Sequence, residues 1–373
     1  MANIIDYIKW RGDLTLKVSE FNEIDSLILN RFSYFPLDNI IKENEKVTIE
    51  ELSKRYQENS KAKMDILWED DAKLFPIMGN SQRFRDMIAL EYINIVESKM
   101  QKQFSAVTII LPDDTIYISY RGTDNTLIGW KEDLNMSFKS HTASQISAKE
   151  YLEEIAKKYP DKKIRIGGHS KGGNLAVYAA IFVPSEIQKR IINVYNNDGP
   201  GFNEDIINLE EYKKAIDKVI TYIPQDSIFG MLLNHEEKYI IVKSTNKGIM
   251  QHDVYSWQVI AKQFVKLKEV TKGSKFIDKT ITNWLKDLDL KTREQVIDII
   301  FEILNSTEVT KIDDLKNSLM RNAKIILSSY KQIDSKNKKM ITTTITTLLR
   351  IIKENVKEEY GKTKKLWKSI DKI

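Results

Sequence analysis

The sequence predicts an α/β fold in which a central, mostly parallel sheet is covered by helices, followed by an all-helical C-terminal region. Strand-like and helix-like segments alternate from about residue 106 to residue 243. Gly168-His169-Ser170-Lys171-Gly172 sits between an alternating Ile run, Lys162 to Ile166, and a small-faced helical run, Gly172 to Ala180. That is a strand, a tight turn and a helix, the context in which a G-x-S-x-G element presents a serine at the edge of a sheet. Beyond about Thr271 the pattern becomes helical throughout.

The first 60 residues carry aromatic anchors, Tyr7, Trp10, Phe21, Phe32, Tyr34 and Phe35, and read as a wrap (1–60) on the core (61–270). Thr48-Ile49-Glu50-Glu51 has the form of a capping box at a helix start. Ala106 to Leu111 and Thr115 to Tyr120 are β-rich runs around Pro112-Asp113-Asp114, so they are expected to pair as a hairpin leading to Arg121-Gly122-Thr123. Ser147 is expected to cap a helix running to about Tyr159. After the serine turn and its helix come a strand near Ile192 to Asn196, a helix around Glu204 to Val219, and strands at Val219 to Ile223 and Tyr239 to Lys243. Arg293 to Asn305, Ile312 to Ile333 and Met340 to Trp367 have apolar residues at helical spacing and form the expected C-terminal region (271–373). The Thr-rich run Ile341 to Thr347 is β-prone locally, but its neighbours favour helix.

A chain of 373 residues, 42% hydrophobic and 30% charged, can bury a large core, and a soluble globular protein is expected. It contains no cysteine, which excludes disulfides, thiol nucleophiles and cysteine-ligated metals. The N-terminal residues lack the basic start and apolar run of a signal peptide, and no stretch approaches the ~20 apolar residues that span a bilayer; a cytoplasmic location is the simplest expectation. The net charge of +5 is unevenly spread: residues from Thr271 onward carry 22 Lys+Arg against 14 Asp+Glu, leaving the body near neutral. Such a basic region suits contact with an anionic membrane surface, although Lys-rich helix faces are usually solvated surface. No specific nucleic-acid partner is expected, and the oligomeric state is open.

A serine hydroxyl is a weak nucleophile at neutral pH. Ser170 therefore needs an imidazole to take its proton and a carboxylate to orient that imidazole. The G-x-S-x-G turn resembles that of the α/β-hydrolases, whose chain order of serine, acid, histidine leaves His235 and His252 of the four histidines, the others being His141 and His169. His252 lies in the loop after the strand at 239–243 and is the favoured base. His169 is read as packing that points away from the reaction. Asp226, after the strand at 219–223, is the favoured acid, and Asp198, in the turn-rich Asn196-Asn197-Asp198-Gly199-Pro200, is the runner-up; either could be a turn or cap residue. The two N–H groups of an oxyanion hole are expected from Lys171 and from Thr123, whose hydroxyl could also help. No cofactor is required.

Tyr120-Arg121-Gly122-Thr123, Gly129-Trp130-Lys131-Glu132-Asp133, Gly168-His169-Ser170-Lys171-Gly172-Gly173, Asn197-Asp198-Gly199-Pro200-Gly201-Phe202, Pro224-Gln225-Asp226 and Gln251-His252-Asp253 occur in this order. Together they resemble the class 3 (fungal-type) lipases. From Asp6-Tyr7-Ile8-Lys9-Trp10 to about Trp257 the chain is also similar to a bacterial family of lipase-like proteins, domain of unknown function 2974. The resemblance implies an α/β-hydrolase fold, Ser170 as nucleophile, Asp226 as acid, His252 as base, Thr123 and Lys171 as the oxyanion pair, Asp133 as a brace for the oxyanion loop, and His235 as a non-catalytic histidine. Lys171 stands where those lipases usually have Leu, placing a charge beside the nucleophile. No clear lid stands between Asp124 and Ser147, although Leu127, Ile128, Trp130, Met136 and Phe138 are apolar enough to serve.

The expected activity is serine ester hydrolysis, of the lipase or carboxylesterase type, on a small acyl-ester or lipid substrate, through an acyl-enzyme. The alternative is a hydrolase fold kept as a binding or regulatory module, with the basic helices as its working surface.

Overall fold

A computed structural model describes residues 2–42, 44–66, 68–124 and 126–271, and beyond these 273–275, 279–280, 283–284, 289–305, 325, 328–329, 331–344 and 346. The chain divides into two compact units, Met1–Thr271 and Lys272–Ile373.

In the first unit, nine strands form one sheet. One edge is antiparallel and consists of β1 (Val47–Thr48), β2 (Ile88–Glu97) and β3 (Lys102–Ile110). The middle is parallel: β4 (Ile116–Tyr120), β5 (Ile164–His169), β6 (Ile191–Asn197), β7 (Val219–Pro224) and β8 (Tyr239–Val242). Two short strands, β9 (Val259–Ile260) and β10 (Gln263–Phe264), pair separately, and β11 (Lys266–Leu267) adds antiparallel to β8 at the far edge. The order across the sheet is β1-β2-β3-β4-β5-β6-β7-β8-β11. This is a mixed α/β sheet with a parallel middle covered by helices, the fold class the sequence predicts.

Alternation along the strands supplies a different core to each face. Ile116, Ile118, Tyr120, Ile164, Ile166 and Val194 pack with the helices α7 (Ala143–Lys158) and α8 (Lys171–Phe182). Tyr117, Tyr195, Tyr222 and Val242 face the N-terminal helices, including α1 (Ile4–Arg11), α2 (Glu23–Phe32), α3 (Ile49–Glu58) and, after the short α4 (Ser60–Met64), α5 (Glu69–Asn80). Of the six aromatic anchors, Tyr7, Phe32, Tyr34 and Phe35 are buried, whereas Trp10 is exposed. Two ion pairs are sealed into this layer, Arg31 with Asp71 and Arg83 with Asp25.

The β3–β4 hairpin forms with Ala106 opposite Tyr120, as its sequence requires. Two expectations shift, and one strand is unforeseen. The helix expected from Ser147 begins at Ala143, because Thr142 takes the N-cap and Gln145 closes a capping box with it. The single helix expected over 204–219 is two short ones, α9 (Ser185–Arg190) being followed by α10 (Glu204–Ile207) and α11 (Glu210–Ile216). Strand β2 has no counterpart among the elements expected from sequence: its alternation is broken by a bulge between Leu90 and Ile93, where Glu91 takes φ 51°.

In the second unit, α12 (Leu290–Asn305) matches the first expected C-terminal helix. Of the Thr-rich run, residues 341–344 are helical. Most of the expected helices at 312–333 and 340–367 lies outside the described residues. No described helix is long and apolar enough to cross a membrane.

Candidate active site

Ser170 stands on the turn between β5 and α8 with φ 59° and ψ −133°, a conformation that non-glycine residues rarely adopt and that needs surrounding structure to hold it. The turn closes so tightly that a Cβ on Gly168 would lie 2.2 Å from the Gly172 carbonyl carbon, and a Cβ on Gly172 would lie 2.1 Å from the Tyr120 oxygen. This close approach accounts for glycines two residues either side of the serine. The Ser170 amide donates to the Asn197 carbonyl at 2.9 Å, fixing the turn against the end of β6.

His252 lies in a 3-10 turn, Gly248–His252, with its imidazole between two rings: His169 at 4.4 Å and Phe229 at 4.3 Å between centroids. Its Nδ1 is 2.7 Å from Asp198 Oδ2. Asp198 is fully buried immediately after β6, with φ 54°, and its other oxygen accepts from Ser227 Oγ at 2.5 Å and from the Gly230 amide at 3.1 Å. Ser170 and His252 are not hydrogen-bonded to one another among the described contacts; such bonds are often long before substrate binds.

Of the two acid candidates, the runner-up Asp198, and not the favoured Asp226, is hydrogen-bonded to His252. Asp226 has no hydrogen bond to His252 among the described contacts; its carboxylate instead accepts from Gln251 Nε2 at 2.8 Å, the Gly248 amide at 3.2 Å and the Thr271 hydroxyl. Asp226 therefore ties down the loop that carries His252, and the runner-up Asp198 holds the position beside the imidazole. Counting strands along the chain favours Asp226, but Asp198, directly after β6 and still bonded through its amide to the Tyr222 carbonyl of β7, is the carboxylate beside the histidine, and no strand count contains that placement.

In the loop after β4, Thr123 Oγ1 donates to Asp133 Oδ2 at 2.5 Å, so the hydroxyl proton is committed to that carboxylate. Among the described residues, the backbone amides of Thr123 and Lys171 have no hydrogen-bond partner. Burial pushes the Asp133 carboxyl up to about 6, with Lys171 and the Thr123 hydrogen bond opposing that rise. Lys171 does not extend to the mouth of the site. Its buried ammonium donates to the Gln103 carbonyl at 2.8 Å, to Gln103 Oε1 at 2.7 Å and to Glu132 Oε2 at 3.2 Å. Glu132, on α6 (Leu127–Asn135), also accepts from the Gln103 amide and from Ser144. The same helix exposes Trp130 and Leu134.

The remaining histidines differ in their surroundings. His235 pairs with Glu237 at 2.9 Å; Glu237 is held down to about 2, its burial outweighed by hydrogen bonds and charge, chiefly from His235. His141 bonds Tyr178 at 2.8 Å. His169 departs from the expectation that it points away, because its ring packs on His252 and its Nε2 lies 3.0 Å from the His252 carbonyl. Burial keeps it well below the usual histidine range, so it is neutral and its Nε2–H can donate to that oxygen.

Residues 78–302 match the family model described as Mbeg1-like. The chain belongs to the Mbeg1-like family. The matched segment includes Thr123, Ser170, Asp198, Asp226 and His252, while the N-terminal helices through α4 precede it. Among solved structures, this Mbeg1-like chain is similar to the Rhizomucor miehei lipase propeptide complex (13% identity, 68% of this chain and 77% of that chain, TM-score 0.36). It is also similar to lipase II from Rhizopus niveus (14% identity, 46% and 70%, TM-score 0.32) and to the N225Q mutant of MDLA from Penicillium cyclopium (12% identity, 63% and 83%, TM-score 0.37). No curated protein matches the chain.

Proposed function

We propose that this protein is a serine ester hydrolase in which Ser170 attacks an acyl ester, His252 takes and returns the proton, and Asp198 holds the imidazole. The observation that carries the reading is the Asp198–His252 pair, its imidazole packed on His169, the residue before a serine held at φ 59°. With Asp198 on Nδ1, His252 keeps Nε2 free to act as the base. Attack converts the ester carbonyl to a tetrahedral oxyanion, which the Thr123 and Lys171 amides would receive. Collapse expels the alcohol, protonated by His252, and leaves an acyl-Ser170 ester. Water, deprotonated by the same imidazole, then releases the acid and regenerates the serine.

The test is intact-mass detection of fluorophosphonate labelling on wild type, Ser170→Ala and His252→Ala, with p-nitrophenyl butyrate turnover in parallel. One adduct on wild type and none on Ser170→Ala is the expected result. No adduct on folded wild type would return the chain to the alternative of a non-catalytic binding module.

A further inference from the structure

We infer that Tyr34, acting with His169, is a positioning pair that ties the oxyanion loop, the nucleophile turn and the histidine loop into one rigid site. The inference rests on the serine-hydrolase reading above.

Tyr34 follows α2, outside the segment that matches the family model, yet its hydroxyl reaches the centre of the site. It accepts from the Gly122 amide at 3.0 Å and donates to the His169 carbonyl at 3.1 Å. Gly122 precedes Thr123, whose amide is assigned to the oxyanion, and His169 precedes Ser170. A single phenol thus fixes the peptides next to both. Position 122 has no room for more than hydrogen, since a Cβ there would lie 2.2 Å from the Tyr34 oxygen. From the other end, the His169 imidazole donates to the His252 carbonyl at 3.0 Å, so the base is tied to the same turn.

The phenol is itself held. The Arg31 guanidinium lies 4.1 Å from the Tyr34 ring centroid, and Arg31 is paired with the buried Asp71. Asp71 also accepts from Tyr255 Oη at 2.5 Å, three residues beyond His252. Burial pushes the Tyr34 phenol up to about 12, so it remains a neutral donor and acceptor through the working range. Rigid support of this kind matters because oxyanion donors act only if they are aimed before the charge develops.

The experiment uses the full chain and p-nitrophenyl butyrate, with active sites counted by fluorophosphonate titration so that turnover is expressed per competent site. Tyr34→Phe keeps the ring on Arg31 and removes only the hydroxyl. The expected result is a fall in kcat per titrated site of ~10- to 100-fold with KM within about 2-fold, smaller than deletion of a direct oxyanion donor. A purely structural tyrosine would lower the melting temperature and the number of titratable sites but leave kcat per site intact, and that result would overturn the inference. If Tyr34→Phe does not fold, His169→Leu against His169→Gln decides. The Gln amide can still donate to the His252 carbonyl and is expected to retain most of the kcat that Leu loses; equal kcat per site in the two variants overturns the inference. Wild type that neither labels nor turns over refutes the hydrolase reading itself, and the inference with it; failure at Tyr34 and His169 alone leaves that reading standing.

Discussion

Asp198 Oδ2 and His252 Nδ1 are 2.7 Å apart, and the other Asp198 oxygen is held by Ser227 and the Gly230 amide. Removing the charge while keeping the shape separates the two acid candidates. Asp198→Asn is expected to lower kcat for ester hydrolysis by ~10,000-fold, since an amide beside Nδ1 favours the wrong tautomer. Asp226→Asn leaves that pair intact and should cost less than ~10-fold, with its main effect on loop stability. Measuring kcat and KM for both variants with p-nitrophenyl butyrate decides between them; the opposite ranking would return the acid role to Asp226.

Lys171 and Glu132 form a buried pair whose side chains are each 1% exposed. Lys171→Met leaves Glu132 without its cation in a place water does not reach, so a loss of ~3 to 5 kcal/mol in urea unfolding is expected. Neutralising both, in Lys171→Met with Glu132→Gln, should be less destabilising than the sum of the single changes by at least ~1 kcal/mol. Strict additivity would show that the two groups do not depend on each other.

Gly172 lies against the end of β4, where the atom nearest to an added methyl is the Tyr120 carbonyl oxygen, a backbone atom that cannot swing away. Gly172→Ala is therefore expected to cost ~1 to 3 kcal/mol or more in chemical denaturation. It should also abolish fluorophosphonate labelling, because relief of the clash moves Ser170. Wild-type labelling by the alanine variant would mean that the turn has slack.

The glycines around Ser170, the hairpin before Gly122 and the strands that alternate with helices are legible in the sequence because each depends on neighbours along the chain. What stays hidden depends on residues far apart. Asp198 and Asp226 both follow strands, and only the path of the loop that carries His252 decides which one meets it. Tyr34 and His169 read as packing because their partners are 88 and 83 residues distant for the Gly122 and His252 bonds. Lys171 reads as a charge beside the nucleophile at the mouth of the site; the acceptors that draw it inward, Gln103 and Glu132, sit on β3 and α6. Strand β2 is masked by its bulge, which interrupts the alternation by which a strand is recognised.

Asp133 carries the pH-dependent consequence. Burial raises its carboxyl from an ordinary value of about 3.8 to about 6 in the folded protein. Between those values the folded chain holds a proton that the unfolded chain has released, so rising pH through this window removes stability. Above about 6 both forms are ionised and the loss is complete. Asp133→Asn has no such proton to lose and keeps an oxygen for the Thr123 hydroxyl. The melting temperature of the variant minus that of wild type should therefore grow from about pH 4 to about pH 6 and then level off, the subtraction cancelling other titrating groups. A difference that shrinks over the same range would mean that Lys171, 4.0 Å from the Asp133 carboxylate, stabilises the ionised form by more than burial opposes it.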